Sequence, residues 1–190
     1  MLCHLICYLR IFDPGADRIN RIMENRKRKL EEERMYRLRP IEESDVDRIR
    51  DWPPYSGDMA QMDYALRENG WLEEFRSKPN AFIYAVDDGD GIVAFTILAE
   101  TAPGEAEFRI CLRADKTGLG LGESIVLQTL LIGFKEHRFF RIHLIVRENN
   151  NRGIRLYRRI GFVDQGECRR EIQGVPVDFL IMDIREEFFS

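Results

Sequence analysis

Two stretches of this chain carry residues whose types and spacing could do chemistry. The first is Thr117-Gly118-Leu119-Gly120-Leu121-Gly122, which leads into a run of good helix formers. A glycine-rich turn feeding a helix is an anion site by construction. The first helical N–H groups have no internal partner, and the helix dipole adds positive potential. Glycines also let a phosphate come close to the backbone. Two common phosphate motifs are excluded. A Walker loop needs Lys-Ser or Lys-Thr after its last glycine, but Glu123-Ser124 follows Gly122. A dinucleotide fingerprint needs a small residue where Glu123 stands, and no parallel βαβ unit opens the chain. A plain strand-to-helix turn without a ligand would not need three alternating glycines.

The second stretch runs from Val146 through Asn150, Arg152, Gly153 and Tyr157 to Gly161-Phe162. Asn150 and Tyr157 are about two helical turns apart, so both point to one side. A phenol held near a departing thiolate could donate a proton to it. Tyr157 taken alone reads better as a half-buried helix aromatic with its hydroxyl in water.

The elements that must position these residues follow from periodicity and turn chemistry. The sequence predicts a short strand over Tyr36–Arg39, stopped by Pro40. A helix follows over about Asp45–Trp52, capped by Ser44, with Val46 and Ile49 on one face. Asp58–Phe75 reads as helical with Gly70 as a weak point. Three antiparallel strands come next: Ala81–Val86, Ile92–Glu100 and Ala106–Arg113. They are joined through Asp87-Asp88-Gly89-Asp90-Gly91 and through Thr101–Gly104. The glycine loop opens a helix reaching about His137. Ile142–Val146 is a central strand, apolar on both faces apart from its ends. Asn150 caps a helix ending near Ile160, with Gly161 at its stop. Phe162–Glu167 and Val177–Ile184 are two last strands, joined through Gln173-Gly174. The expected fold class is α/β (α+β): a mixed, mostly antiparallel sheet of six to seven strands with helices on both faces.

Composition narrows the function classes. The chain has 190 residues, 44% hydrophobic and 33% charged, with a net charge of −4. That suits one folded domain and disfavours a general nucleic-acid binder, which shows a basic excess. No apolar run approaches the ~20 residues that span a bilayer. Cys3, Cys7, Cys111 and Cys168 form no CxxC pair and no zinc spacing. Reduced thiols in a cytoplasmic protein are the better reading than a partial metal site at Cys3, His4 and Cys7, and no metal is expected. Residues 1–35 read as an N-terminal extension, 36–185 as the domain and 186–190 as a tail. Met1–Phe12 is apolar without the basic start and cleavage site of a signal peptide. It reads as a partner- or membrane-touching helix or as an upstream extension, with Met23 and Met35 as alternative starts. The run Arg21–Arg34 reads as a solvated helix in preference to a nucleic-acid contact.

Together the two motifs, in this order on these elements, resemble the GNAT acetyltransferases. That family's cofactor loop follows Gln/Arg-x-x-Gly-x-Gly/Ala, in the place of Thr117 to Gly122. Its later motif, Asn-x-x-Ala-x-x-x-Tyr followed by Gly-Phe, is matched by Asn150, Gly153, Tyr157, Gly161 and Phe162. Thr117 departs from the family's Gln or Arg, and Gly153 from its Ala. The resemblance covers roughly Tyr36 to Ile184. Ala106–Ile110 and Gly161–Glu167 look like the ribosomal-protein alanine acetyltransferases and spermidine acetyltransferases.

The resemblance implies a splay between the fourth and fifth strands that holds acetyl-CoA as co-substrate. Thr117, Gly118, Leu119, Gly120, Leu121 and Gly122 would take the pyrophosphate. Backbone groups of Ile110, Cys111 and Leu112 would hold the pantetheine, and Asn150 and Arg152 would bind near the cofactor. An amine would attack the thioester directly, with Tyr157 as general acid, so Cys111 need not be a nucleophile. Glu107 is the candidate general base and Glu105 the runner-up. The acceptor would be a small amine, a polyamine or a protein N-terminus, met by the acidic and aromatic segment from Trp52 to Trp71. The resemblance leaves room for a homodimer. The rival reading is a non-catalytic CoA-binding regulatory module of the same fold.

Overall fold

The computed structural model describes residues 36–67 and 69–189. The N-terminal apolar and charged runs, with Cys3, His4 and Cys7, lie outside the described residues. The element order is β1 (Arg37–Pro40), α1 (Glu43–Arg50), a 3-10 helix (Gly57–Leu66), α2 (Trp71–Arg76), β2 (Ala81–Asp87), β3 (Ile92–Ala102) and β4 (Glu105–Leu112). A 3-10 turn (Ala114–Lys116), α3 (Leu121–Lys135), β5 (Arg141–Arg147), α4 (Asn151–Ile160), β6 (Val163–Ile172), β7 (Val175–Arg185) and a last 3-10 turn (Glu186–Phe188) complete it.

The seven strands form one sheet in the order β1-β2-β3-β4-β5-β7-β6. Every neighbouring pair is antiparallel except β4–β5. The first eight residues of β3, Ile92 to Ala99, are all buried. This strand is therefore covered on both faces, which is why its sequence is a continuous apolar run. One core lies under α1, the first 3-10 helix and α2, where Ile49, Trp52, Leu66 and Phe75 meet Ile83, Phe95, Ile97 and Cys111. The other lies under α3 and α4, where Val126, Leu130, Phe134 and Ile154 meet Leu98, Phe108, Ile142, Leu144 and Met182. Truncating a fully buried member such as Leu130 to Ala would cost about 2–5 kcal/mol.

Alternation along the strands decides which face each side chain serves. Ala106 and Phe108 of β4, and Ile142, Leu144 and Val146 of β5, point to the α3–α4 side. Glu107, Arg109 and Cys111, with His143 and Arg147, therefore point to the α1–α2 side.

Two local expectations are corrected. Ser44 does not cap α1; Glu42 occupies that position, and the Asp45 carboxylate accepts its N–H at 2.8 Å. The 58–75 stretch is not one helix. It breaks between the 3-10 helix and α2, where a Cβ on Gly70 would sit 2.6 Å from the carbonyl oxygens of Ala65 and Arg67. Gly70 thus admits a tight backbone crossing, and the chain turns there rather than continuing helical.

Candidate active site

The parallel β4–β5 ladder has only three pairs: Glu105 with Arg141, Ala106 with Ile142, and Glu107 with His143. Beyond Glu107 and His143 the two strands part, and the sheet opens. Peptide groups in a strand alternate sides. Arg113 donates its N–H to Val93 O on β3 at 2.8 Å. The Cys111 peptide therefore also turns to β3, while those of Ile110 and Leu112 turn into the gap. The Leu112 carbonyl accepts a hydrogen bond from the Tyr55 hydroxyl, which also lies 3.2 Å from Cys111 Sγ. Among the described residues Ile110 has no ladder partner on the gap side. Of the three residues expected on this strand, Ile110 presents the least encumbered backbone.

On the α3–α4 side the gap meets a cavity of about 340 Å³, bordered by Thr117, Gly118, Gly120, Leu121, Gly122, Asn150, Arg152 and Tyr157. Gly118 and Gly120 sit at φ +91° and +85°, in the left-handed region that favours glycine. Gly122 serves differently: a Cβ there would approach Leu156 Cδ2 to 3.2 Å, so it lets α4 pack close. Gly120 is the N-cap of α3 and supplies no side-chain cap. The first-turn N–H groups of α3 are thus left for an anion. Arg152, Arg155 and Arg159 border the same cavity; Arg159 is engaged by Glu123 at 2.6 Å. The Leu119 side chain is exposed and does not line the cavity. Thr117 holds its turn by donating to Ala114 O at 2.9 Å.

Asn150 caps α4, its Oδ1 accepting the Gly153 N–H at 2.9 Å. A Cβ at position 153 would fall 2.8 Å from Asn150 Nδ2, so glycine there suits this cap geometry better than alanine would. Tyr157 is half-buried, with its ring edge-on to Phe162 at 5.6 Å. No hydrogen bond engages its hydroxyl among the described residues. Burial pushes the phenol up to about 12.

On the α1–α2 side the gap meets a larger cleft of about 700 Å³. Glu107, Arg109, His143 and Arg147 line it together with Tyr64 and Trp71. Glu107 accepts from Arg109 Nε at 3.0 Å, and the Arg109 guanidinium lies over the Phe75 ring at 4.7 Å. Glu105 is held by Arg141 at 2.6 Å and lines neither cavity. His143 is the residue that sequence reasoning missed. It sits opposite Glu107 at the last rung, and its Nδ1 is buried without a partner among the described residues. Burial holds its imidazole below the ordinary value, although the nearby Glu107 carboxylate opposes this. A histidine interrupting an otherwise apolar strand was the available signal.

Cys111 is buried, and burial raises its thiol to about 12, the character of an inert core residue. The acidic acceptor surface expected from the Trp52–Trp71 segment does not form around Asp63. That carboxylate is clamped by Arg67 at 2.7 and 2.9 Å and accepts the Tyr55 N–H at 3.2 Å. Trp52 and Tyr55 pack in the core, while Met62, Tyr64 and Trp71 reach the cleft.

Met62, Ile110, Asn150 and Tyr157 border both cavities. A ligand lying along the glycine loop and one entering from the α1–α2 face would meet at these four residues. Among the described residues no helix is long and apolar enough to cross a membrane.

A family model for the GNAT acetyltransferase domain matches residues 35–163. Mycothiol acetyltransferase of Actinosynnema mirum is 30% identical over 114 residues, 58% of this chain and 36% of that protein. Spermidine N(1)-acetyltransferase of Escherichia coli is 32% identical over 66 residues, 35% of this chain and 36% of that protein. Both matches span only about a third of the curated relative's length. Among solved structures, spermidine N-acetyltransferase from Vibrio cholerae in complex with CoA and spermine superposes with a TM-score of 0.68. It is 21% identical, covering 82% of this chain and 98% of that one, a likeness of fold. With its split sheet, glycine loop and family match over most of its length, the chain belongs to the GNAT acetyltransferase family.

Proposed function

We propose that the protein is an acetyl-CoA-dependent N-acetyltransferase that transfers the acetyl group directly to a primary amine. The observation that carries this is the meeting of the two cavities at Tyr157, Asn150 and Ile110 across the opened β4–β5 ladder. The α3 N-terminus takes the CoA pyrophosphate, and Arg152 and Arg155 add positive charge beside it. The Asn150 amide N–H₂, not used in capping, is available to the cofactor. The pantetheine arm lies in the gap along Ile110, whose N–H polarises the thioester carbonyl.

The amine enters from the α1–α2 face. As an ammonium it first gives a proton to the Glu107–His143 pair, directly or through water. Its nitrogen then attacks the carbonyl carbon; the C–N bond forms, the C–S bond breaks, the electron pair leaves on sulfur, and the surplus proton on nitrogen passes through water to the thiolate, so that CoA leaves as the thiol. Tyr157, protonated at neutral pH, faces that sulfur. The buried Cys111 takes no part. The test is release of free CoA thiol from acetyl-CoA in the presence of a panel of amines and peptides with free N-termini. Calorimetry with acetyl-CoA and with CoA accompanies it. Micromolar cofactor binding with amine-dependent thiol release is expected; cofactor binding with no transfer to any acceptor would leave a binding module.

A further inference from the structure

We propose that the acceptor carries a carboxylate as well as its amine, and that Arg147 binds that carboxylate. The inference deepens the reading above and rests on it.

The Arg147 residue is 9% exposed and lines the acceptor cleft at the open end of β5. Its Nη1 donates to Gln61 Oε1 at 3.0 Å and its Nη2 to Gln61 O at 3.3 Å. Its Nε is buried with no partner among the described residues. The guanidinium carbon lies 5.9 Å from the Phe179 ring centre. Every contact is with a neutral group, and among the described residues no carboxylate lies within ion-pair distance. A guanidinium cannot shed its proton to escape burial. Holding its charge in a low-dielectric wall without a counter-charge is costly.

The other charges of the cleft are accounted for. Arg109 is balanced by Glu107, with Glu74 at 3.8 Å. Arg141 is balanced by Glu105 and Asp183, both at 2.6 Å. Arg170 and Glu171 are exposed and of opposite sign. Among the described residues of this wall, Arg147 is the buried cation with no carboxylate beside it, and a single carboxylate would pair with it. That anion is not the cofactor's phosphate: Arg147 does not border the glycine-loop cavity, whose cations are on α4. A polyamine would bring more positive charge to this wall. A carboxylate would supply what the site lacks, in the planar geometry a guanidinium recognises best. Glu107, His143 and Arg147 share one face, so an amine at the last rung and a carboxylate further along β5 occupy one cleft.

The experiment compares thiol release for ω-amino acids of increasing chain length with primary alkylamines of matching length, and with spermidine. Wild type, Arg147→Gln and Arg147→Lys are assayed, each with its acetyl-CoA affinity. Wild type should favour the amino acid over its matched amine by at least about thirtyfold in kcat/KM, the low end for a desolvated charge pair. Arg147→Gln should erase that ratio with acetyl-CoA affinity unchanged, and Arg147→Lys should restore part of it. Equal rates for matched pairs, a preference for spermidine, or a ratio that survives in Arg147→Gln would overturn the inference and leave the transferase reading standing. Amino acids that bind the CoA-loaded wild type but not Arg147→Gln, with no thiol released, would uphold the carboxylate site and overturn the transferase reading. Neither binding nor transfer would overturn both.

Discussion

Replacing Tyr157 by Phe isolates one oxygen atom. The ring keeps its contact with Phe162, and no intramolecular hydrogen bond is lost among the described residues. The melting temperature should therefore move little. Burial sets the phenol at about 12, whereas a thiol lies near 8.5. At neutral pH the phenol keeps its proton and is a donor. The hydroxyl therefore acts chiefly as a hydrogen-bond donor to charge building on sulfur. A hydrogen bond to a charged group contributes about 1.5–3 kcal/mol. Turnover should accordingly fall by about tenfold to a hundredfold. The assay is steady-state thiol release under saturating acceptor, with acetyl-CoA affinity from calorimetry. Affinity should hold within about twofold, because the interaction is made only as the C–S bond breaks. Unchanged turnover, or an affinity loss as large as the turnover loss, would refute this reasoning.

Three further outcomes follow from the geometry. His143 is held below its ordinary value of 6.5 mainly by burial, so the unfolded chain binds more protons just below that pH. Stability from the neutral imidazole is fully present above about 6.5 and is lost as pH falls through the folded value. In thermal melts from pH 5 to 7, His143→Gln should flatten the slope, with a residue of it left by His137, also held down by burial; an unchanged slope would show that His143 titrates alike in the folded and unfolded chain. Gly120→Ala forces a left-handed φ of +85° on an L-residue, at about 1–2 kcal/mol, and should weaken acetyl-CoA binding about tenfold by calorimetry; native affinity would mean that the loop geometry is not used. Cys111→Ala should retain turnover within about threefold, whereas loss of the reaction with folding intact would make the thiol a participant.

Much of the fold was legible because local rules agreed with the tertiary outcome. Gln173 and Gly174 take φ of +51° and +78°, the left-handed pair that a tight hairpin turn requires. The Asn150 cap and the glycine loop announced themselves by residue type. The break before α2 showed only as a weak point at Gly70, because the crossing with the carbonyls of Ala65 and Arg67 that requires this glycine is not described by helical periodicity. The acceptor side was the least legible. His143 and Arg147 acquire meaning only when strand parity puts them on the face of Glu107, and Arg147 only when its surroundings prove to lack a carboxylate. Within the Trp52–Trp71 segment, Asp63 is satisfied by Arg67 one turn away, a pairing that composition alone does not reveal.

The three-rung β4–β5 ladder also has a mechanical consequence. Among the described residues it is the sole strand-to-strand seam between a four-stranded half-sheet and a three-stranded one. Beyond Glu107 and His143 both halves contribute side chains to one core under α3 and α4, Phe108 and Leu144 among them. Such a seam can flex by small changes of twist without breaking either half. A pantetheine arm hydrogen-bonded along Ile110 would act as a splint, supplying polar contacts where strand pairing ends. Cofactor loading should then slow amide exchange on the facing edges of β4 and β5 most, in regions far from the phosphates.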